Sequence, residues 1–317
     1  MIQPILALFL FGQTQATTPL YTQSVTTADG VVQMKTLCQQ LVRDGKPDIW
    51  LVGAVHIGSK AYYSSLQGIL DQEEVVLYEG VKSDEQKKKA EPPKKVEGET
   101  TDRPIYKVLS DALGLEFQLN AVNYDHANWV NCDLTWEEMD KVSKEAGNGD
   151  KGGTYGQIKQ LLDPKSPQSK MFATMMDTAT PGTKEAIKLM IVKSVASGEV
   201  GLDDTTDKIV IKARNQVVLD SLAKSIASDK PPKSIAVFYG AKHLPSMEAD
   251  LEKTYGYKPG KQEWFMAAEA DPKKVDSNGQ MLLDMLDKQK KPRSGGGGLF
   301  LSETARNVAL SFRFLGI

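Results

Sequence analysis

The unit Gly-x-x-His occurs twice in this chain, as Gly53-Ala54-Val55-His56 and as Gly240-Ala241-Lys242-His243. The 317 residues contain three histidines, so two of the three share one local context. Imidazole is the side chain best suited to act near neutral pH as base, acid or metal ligand. A third group, Glu79, ends an apolar run as the histidines do, in Val75-Val76-Leu77-Tyr78-Glu79. Two imidazoles and a carboxylate form a donor set for a divalent ion such as Mn, Co or Zn, with positions left open for water and substrate. Water on such an ion attacks a carbonyl that the ion polarises. Without a metal, one imidazole would serve as general base. Gly53 and Gly240 would allow a tight turn and a close approach of backbone to ligand. Each residue alone is unremarkable, since a single histidine after a strand is commonly structural; the repetition singles them out.

Two further side chains join the candidates. Val210, Arg214 and Val217 fall at i, i+4 and i+7 of an expected helix over 203–226, which puts Arg214 on an apolar face. A guanidinium there needs a partner or a ligand, unless it snorkels to water. It could neutralise a developing oxyanion or a substrate carboxylate. His126 follows an expected strand over 117–124 and is either an additional ligand or base, or a polar loop residue.

The elements that must position these groups are legible in outline. Residues 49–52 and 75–78 are short apolar runs rich in β-branched and aromatic side chains, and a helix-like stretch over 59–70 lies between them. That order predicts parallel strands with a crossover helix, so His56 and Glu79 emerge at one sheet edge. In open α/β sheets the carboxyl edge binds ligands. The order returns with a strand over 234–239, a helix over 246–255 and a strand over 262–267. Further signals are a turn at Asp29-Gly30 before a strand over 31–37, a helix over 104–115, and a capping box at Thr135-Trp136-Glu137-Glu138. Residues 155–226 look helical and Met-rich, with Met171, Met175, Met176 and Met190 either lining an apolar groove or filling core. The expected class is therefore α/β: a mixed central sheet with two strand-helix-strand units and a helical insertion over about 136–227, within a domain over 17–287.

Composition removes several function classes. A net charge of −2 with mixed signs gives no basic surface for nucleic acid. No H-E-x-x-H, G-x-S-x-G or Walker A sequence is present. The formal G-x-G-x-x-G at 147–152 lacks a preceding strand and reads as a connection, as the charged, Pro-containing stretch 82–103 reads as a solvated loop. Residues 1–16 resemble a cleaved signal peptide, against a buried first strand or a membrane anchor, and so predict export. Cys38 and Cys132 then either pair or stay as buried thiols. A charged, Gly-rich linker over 288–298 leads to an amphipathic tail over 299–317, suited to the domain surface, a partner or a membrane surface.

The segments Val52-Gly53-Ala54-Val55-His56, Leu77-Tyr78-Glu79, Ala213-Arg214-Asn215 and Tyr239-Gly240-Ala241-Lys242-His243-Leu244-Pro245 together resemble the TraB/PrgY/TIKI family, with its GumN-like bacterial branch. Asn123-Tyr124-Asp125-His126 and Asp133-Leu134-Thr135 are similar to its bacterial members. The resemblance covers about residues 31–267. It implies an erythromycin-esterase-like or ChaN-like fold and a metal-dependent hydrolase, a metalloprotease acting on peptide or protein substrates. In it His56, Glu79 and His243 would form the metal site, with Arg214 in support. A non-catalytic binder of a peptide, haem or metal ligand is the alternative use of the same residues.

Overall fold

A computed structural model describes residues 20–89, 92–93, 95–96, 102–147, 153–197 and 202–290. The expected signal peptide, nearly all of the linker, and the tail lie outside them, as does most of the 147–152 connection. Among the described residues, strands β1 (Thr22–Thr26), β2 (Val32–Val42), β3 (Asp48–Ala54), β5 (Val75–Tyr78), β7 (Trp129–Asn131), β8 (Ser234–Gly240) and β9 (Lys258–Ala270) form one mixed sheet. The two-residue strands β4 (Ile57–Gly58) and β6 (Glu116–Phe117) pair apart from it. The fold class is α/β with a mixed central sheet, as expected.

The sheet has two halves. β3, β8, β5 and β7 lie side by side in parallel, in that order. β2 continues the sheet antiparallel to β3. Its first half pairs with β1 through a turn at Gly30, whose φ of 94° suits glycine. β9 runs antiparallel along β2. Two expectations are corrected here. β3 and β5 are parallel but not neighbours, because β8 inserts between them and pairs with both. The second unit does not repeat the first, because its last strand turns to the antiparallel half; β9 spans 13 residues and is mostly exposed at its start.

Helices cover both faces. The helix Lys60–Leu70, capped by the Ser59 hydroxyl, buries Tyr62, Tyr63, Leu66 and Leu70. The helix Leu244–Tyr255 packs with Val218 and Leu222 of the helix Ala213–Ile226 against Leu51, Ile235 and Val237. The expected helix over 104–115 forms as Ile105–Leu113 and ends in a left-handed Gly114. The expected strand over 117–124 does not form. Phe117 ends the two-residue β6, and Gln118–Ala121 is a helical turn, so only a fragment of that apolar run finds a strand partner. At the helix Trp136–Glu145 both hydrogen bonds of the capping box are present. The helical stretch forms as Gly153–Leu162, Pro167–Thr178, Pro181–Ser197 and Asp204–Asp207, with a π turn over Lys208–Lys212 before Ala213–Ile226. Met176 is core, Met175 and Met190 pack at the core's margin, and Met171 is exposed, so these methionines fill and flank the core. The helix Ser277–Lys290 takes in the first residues of the expected linker. Cys38 and Cys132 are buried free thiols. No helix among the described residues is long and apolar enough to cross a membrane.

Candidate active site

The four parallel strands deliver one functional group each at their carboxyl ends. β3 leads to His56, β5 to Glu79, β7 to Asp133 and β8 to His243. Each strand ends and the chain turns away, so the next polar residues collect along one edge. Arg214 comes from the second residue of the helix Ala213–Ile226, which follows the π turn. Such irregular turns recur where a helix must aim a side chain at a site.

Arg214 is the hub. It is 5% exposed, and its guanidinium reaches Glu79 Oε1 at 2.5 Å and both oxygens of Asp133 at 2.9 and 2.8 Å. Its Nη1 makes two longer contacts of 3.4 Å, to the Val210 carbonyl and to His243 Nε2. Together these contacts engage the five N–H donors that a guanidinium carries. The second oxygen of Glu79 accepts the Gly240 backbone N–H at 2.5 Å. Glu79 is thus locked at both ends. Burial acts to raise its pKa, but Arg214, His243 and His56 outweigh burial and hold the carboxyl well below the usual range.

His243 is fully buried beneath this cluster. Its Nδ1 lies 2.6 Å from Asn215 Oδ1, so Nδ1 carries the proton and donates. Nε2 is left with a lone pair turned to Arg214 and to Glu79, whose Oε1 is 3.8 Å away. Asn215 also holds the His243 carbonyl at 3.0 Å, fixing the ring's backbone. Burial pulls the His243 pKa down to about 3, so the ring is neutral at physiological pH.

Open to the cluster is a cavity of about 410 Å³ whose lining includes His56, Glu79 and Arg214, but not His243. His56 is half-buried, and its ring lies against Tyr106 with centroids 4.3 Å apart. The sheet edge therefore brings together four of the sequence candidates, three at the cavity and His243 behind them. His126 does not join them. It stands before β7, whose first residue pairs with Val76, and its Nε2 is 3.8 Å from Asp71, which precedes β5. That is the opposite edge of the sheet, where His126 stacks on Trp129 and meets Asn123 at 3.0 Å. The expected strand that would have carried it to the site is not there.

Gly240 stands at a turn, its carbonyl accepting the His243 N–H at 2.9 Å, and Gly53 has a packing role. A Cβ on Gly53 would lie 2.7 Å from the Leu37 carbonyl oxygen, so this glycine lets β2 pass close to β3. Gly240 contributes its N–H to Glu79. Asp133 and Asn215 are the members that sequence reasoning missed as site residues. Both lie in segments that carry the family resemblance, Asp133-Leu134-Thr135 and Ala213-Arg214-Asn215, and a buried arginine requires carboxylates.

The sequence candidates for a metal are oxygen and nitrogen donors of the right kinds, but their arrangement is not a ready coordination set. Glu79 is bound at both oxygens, with Arg214 beside it and His243 behind. Among the described residues no three His, Cys, Asp or Glu side chains gather closely enough to hold one ion. A metal does not fit these positions as they stand. What the arrangement offers is an ionised carboxylate, a fixed guanidinium and a half-buried imidazole on one cavity wall. Compared with family profiles, characterised proteins and solved structures, the chain matches none.

Proposed function

We propose that this chain is a hydrolase of amide or ester bonds, with peptide or protein segments as substrates, and that His56 moves the proton. One observation carries the proposal: His56, Glu79 and Arg214 meet on the wall of a cavity whose lining is otherwise largely apolar. Enclosed sites of this size with a few convergent polar groups are where small ligands and chain segments are held for chemistry. The resemblance to the TraB/PrgY/TIKI family, and through it to erythromycin-esterase-like and ChaN-like folds, supports the same class. An exported protein is the natural setting, given the leader-like residues 1–16.

The steps follow from the side chains. Water beside His56 loses a proton to the imidazole as it attacks the substrate carbonyl. Glu79 and Asp133 together outweigh Arg214 by one negative charge, and that excess stabilises the imidazolium as it forms. Arg214 Nη1, whose two contacts of 3.4 Å are the longest the guanidinium makes, is the donor that would exchange one of them for the oxyanion while the plane stays fixed. His56 then returns its proton to the leaving nitrogen or oxygen. His243 and Asn215 set the position of Arg214 and Glu79 from behind. No step passes through a metal.

The test is full-length protein on a peptide library, with chelator and with added Mn, Co or Zn. His56→Ala should lower cleavage by about 10²–10⁴-fold. Cleavage unchanged by His56→Ala refutes the proposal, and saturable capture of peptide or haem without turnover assigns a binder instead. Loss of activity in chelator with recovery on one ion would assign a metal, and Arg214 would then have to release Glu79 Oε1.

A further inference from the structure

The cavity draws its lining from two apolar clusters that are otherwise separate. Tyr106, Leu119 and Leu162 pack on the main core under the sheet. Trp136, Met139 and Val210 belong to a small cluster formed by the helix Trp136–Glu145 and the π turn. The Tyr106 ring also stacks on Phe117, with centroids 6.0 Å apart and an interplanar angle of 21°. Away from His56, Glu79 and Arg214, the polar remainder is Lys82, Gln86, Gln118 and the phenols of Tyr106 and Tyr155, and the Tyr155 hydroxyl already donates to Asp140 at 3.0 Å. Gln118 already donates to the Tyr124 hydroxyl at 3.0 Å.

We propose that this cavity is a specificity pocket for an uncharged apolar group, an aliphatic chain or aromatic ring attached to the carbonyl carbon that is attacked. The proposal rests on the hydrolase reading only in seating the carbonyl at His56. An apolar group there joins the two clusters and removes both surfaces from water. A polar or charged group would give up its hydration without gaining partners from the aromatic and aliphatic walls. The volume of about 410 Å³ admits a chain of several carbons beside the carbonyl. Each buried methylene should raise affinity about fourfold.

The experiment uses methyl ketones, which present a carbonyl and no cleavable bond. 2-Butanone, 2-hexanone, 2-octanone and 6-hydroxy-2-hexanone are titrated into the full chain by calorimetry. Affinity should rise about fourfold per methylene through the series, with a negative heat-capacity change, and the hydroxyl-ended ketone should bind at least about tenfold more weakly than 2-hexanone. Trp136→Glu should flatten the series. Trp136 opens its helix and is only partly buried, and a carboxylate in a first turn suits the helix dipole, so the fold is retained. Leu119→Glu is the second variant on the other wall and should act alike. A series of equal affinities, a hydroxyl-ended ketone that binds as well, or two variants that leave the slope intact would each overturn the proposal. A steep series with no peptide cleavage would keep this pocket and discard the hydrolase. A flat series with His56-dependent cleavage would do the reverse.

Discussion

His243 should make this protein acid-sensitive in a way that can be isolated. Its ring is fully buried, and burial pulls the folded-state pKa from 6.5 to about 3, with Arg214 and His56 adding to the effect and Glu79 opposing it. Above pH 6.5 both the folded and the unfolded chain hold a neutral ring. Between pH 6.5 and 3 only the unfolded chain takes the proton, so stability falls as pH falls. At pH 5.0 the gap below the unfolded pKa is about 1.5 units, and at about 1.4 kcal/mol per unit the loss is roughly 2 kcal/mol. The same value holds wherever below pH 4 the folded ring titrates. The assay is urea unfolding of wild type and His243→Gln at pH 7.5 and pH 5.0, taking the difference of the two pH effects. Groups common to both proteins cancel. Glu79, also depressed in the folded state, withdraws its contribution mainly below its ordinary 4.5 and so largely outside this window. Wild type should lose about 2 kcal/mol more than the variant. Equal losses would mean that the ring is protonated in the fold, and the assigned donor at Nδ1 and lone pair at Nε2 would be wrong.

Two more substitutions probe the same construction. Arg214→Met leaves Glu79 and Asp133 buried without their cation and should destabilise by roughly 3–5 kcal/mol in urea unfolding, with Arg214→Lys recovering only part, because an ammonium lacks the fork that meets both Asp133 oxygens. Gly53→Ala drives a methyl group toward the Leu37 carbonyl oxygen and should lower stability by about 1–3 kcal/mol in thermal unfolding; no loss would show that β2 and β3 yield at that point.

The parts of the fold that local patterns report were legible in the sequence. The strand over 49–52, the helix after Ser59, the strand at 75–78 and the strand at 234–239 all appear, because short apolar runs with clear turn chemistry read directly. Their order in the sheet did not follow. Nothing local says that β8 enters between β3 and β5, since strand neighbours are chosen by long-range packing. The repeated Gly-x-x-His and the apolar placement of Arg214 located the carboxyl edge. The same logic failed for His126, because Phe117 pairs only briefly with Ile57 and the chain then coils into a helical turn. Asp133 was the reverse case: β7 is three residues long, too short to stand out, yet it places the carboxylate that takes two of the arginine's hydrogen bonds.

The two histidines share a motif but not a role, and charge explains the division. In the buried cluster Glu79 and Asp133 supply two negative charges, Arg214 supplies one positive charge, and His243 is neutral. The cluster therefore keeps one net negative charge, facing a cavity whose lining also carries Lys82. A second fixed cation behind Glu79 would cancel that charge; a neutral ring hydrogen-bonded to Asn215 does not. His56 is the half-buried imidazole at the cavity wall, so in the proposed reaction it is the group that would take the proton. On the proposed mechanism the inner Gly-x-x-His unit preserves an imbalance that the outer one would use. Replacing Asn215 with aspartate alters the inner unit alone: a carboxylate at Nδ1 favours a charged His243, and because the new pair is itself neutral the cluster keeps its net charge. Asn215→Asp should therefore raise the folded-state pKa of His243 and shrink the stability lost between pH 7.5 and 5.0 in urea unfolding, and a variant that loses as much as wild type would show that the ring stays neutral whatever faces Nδ1.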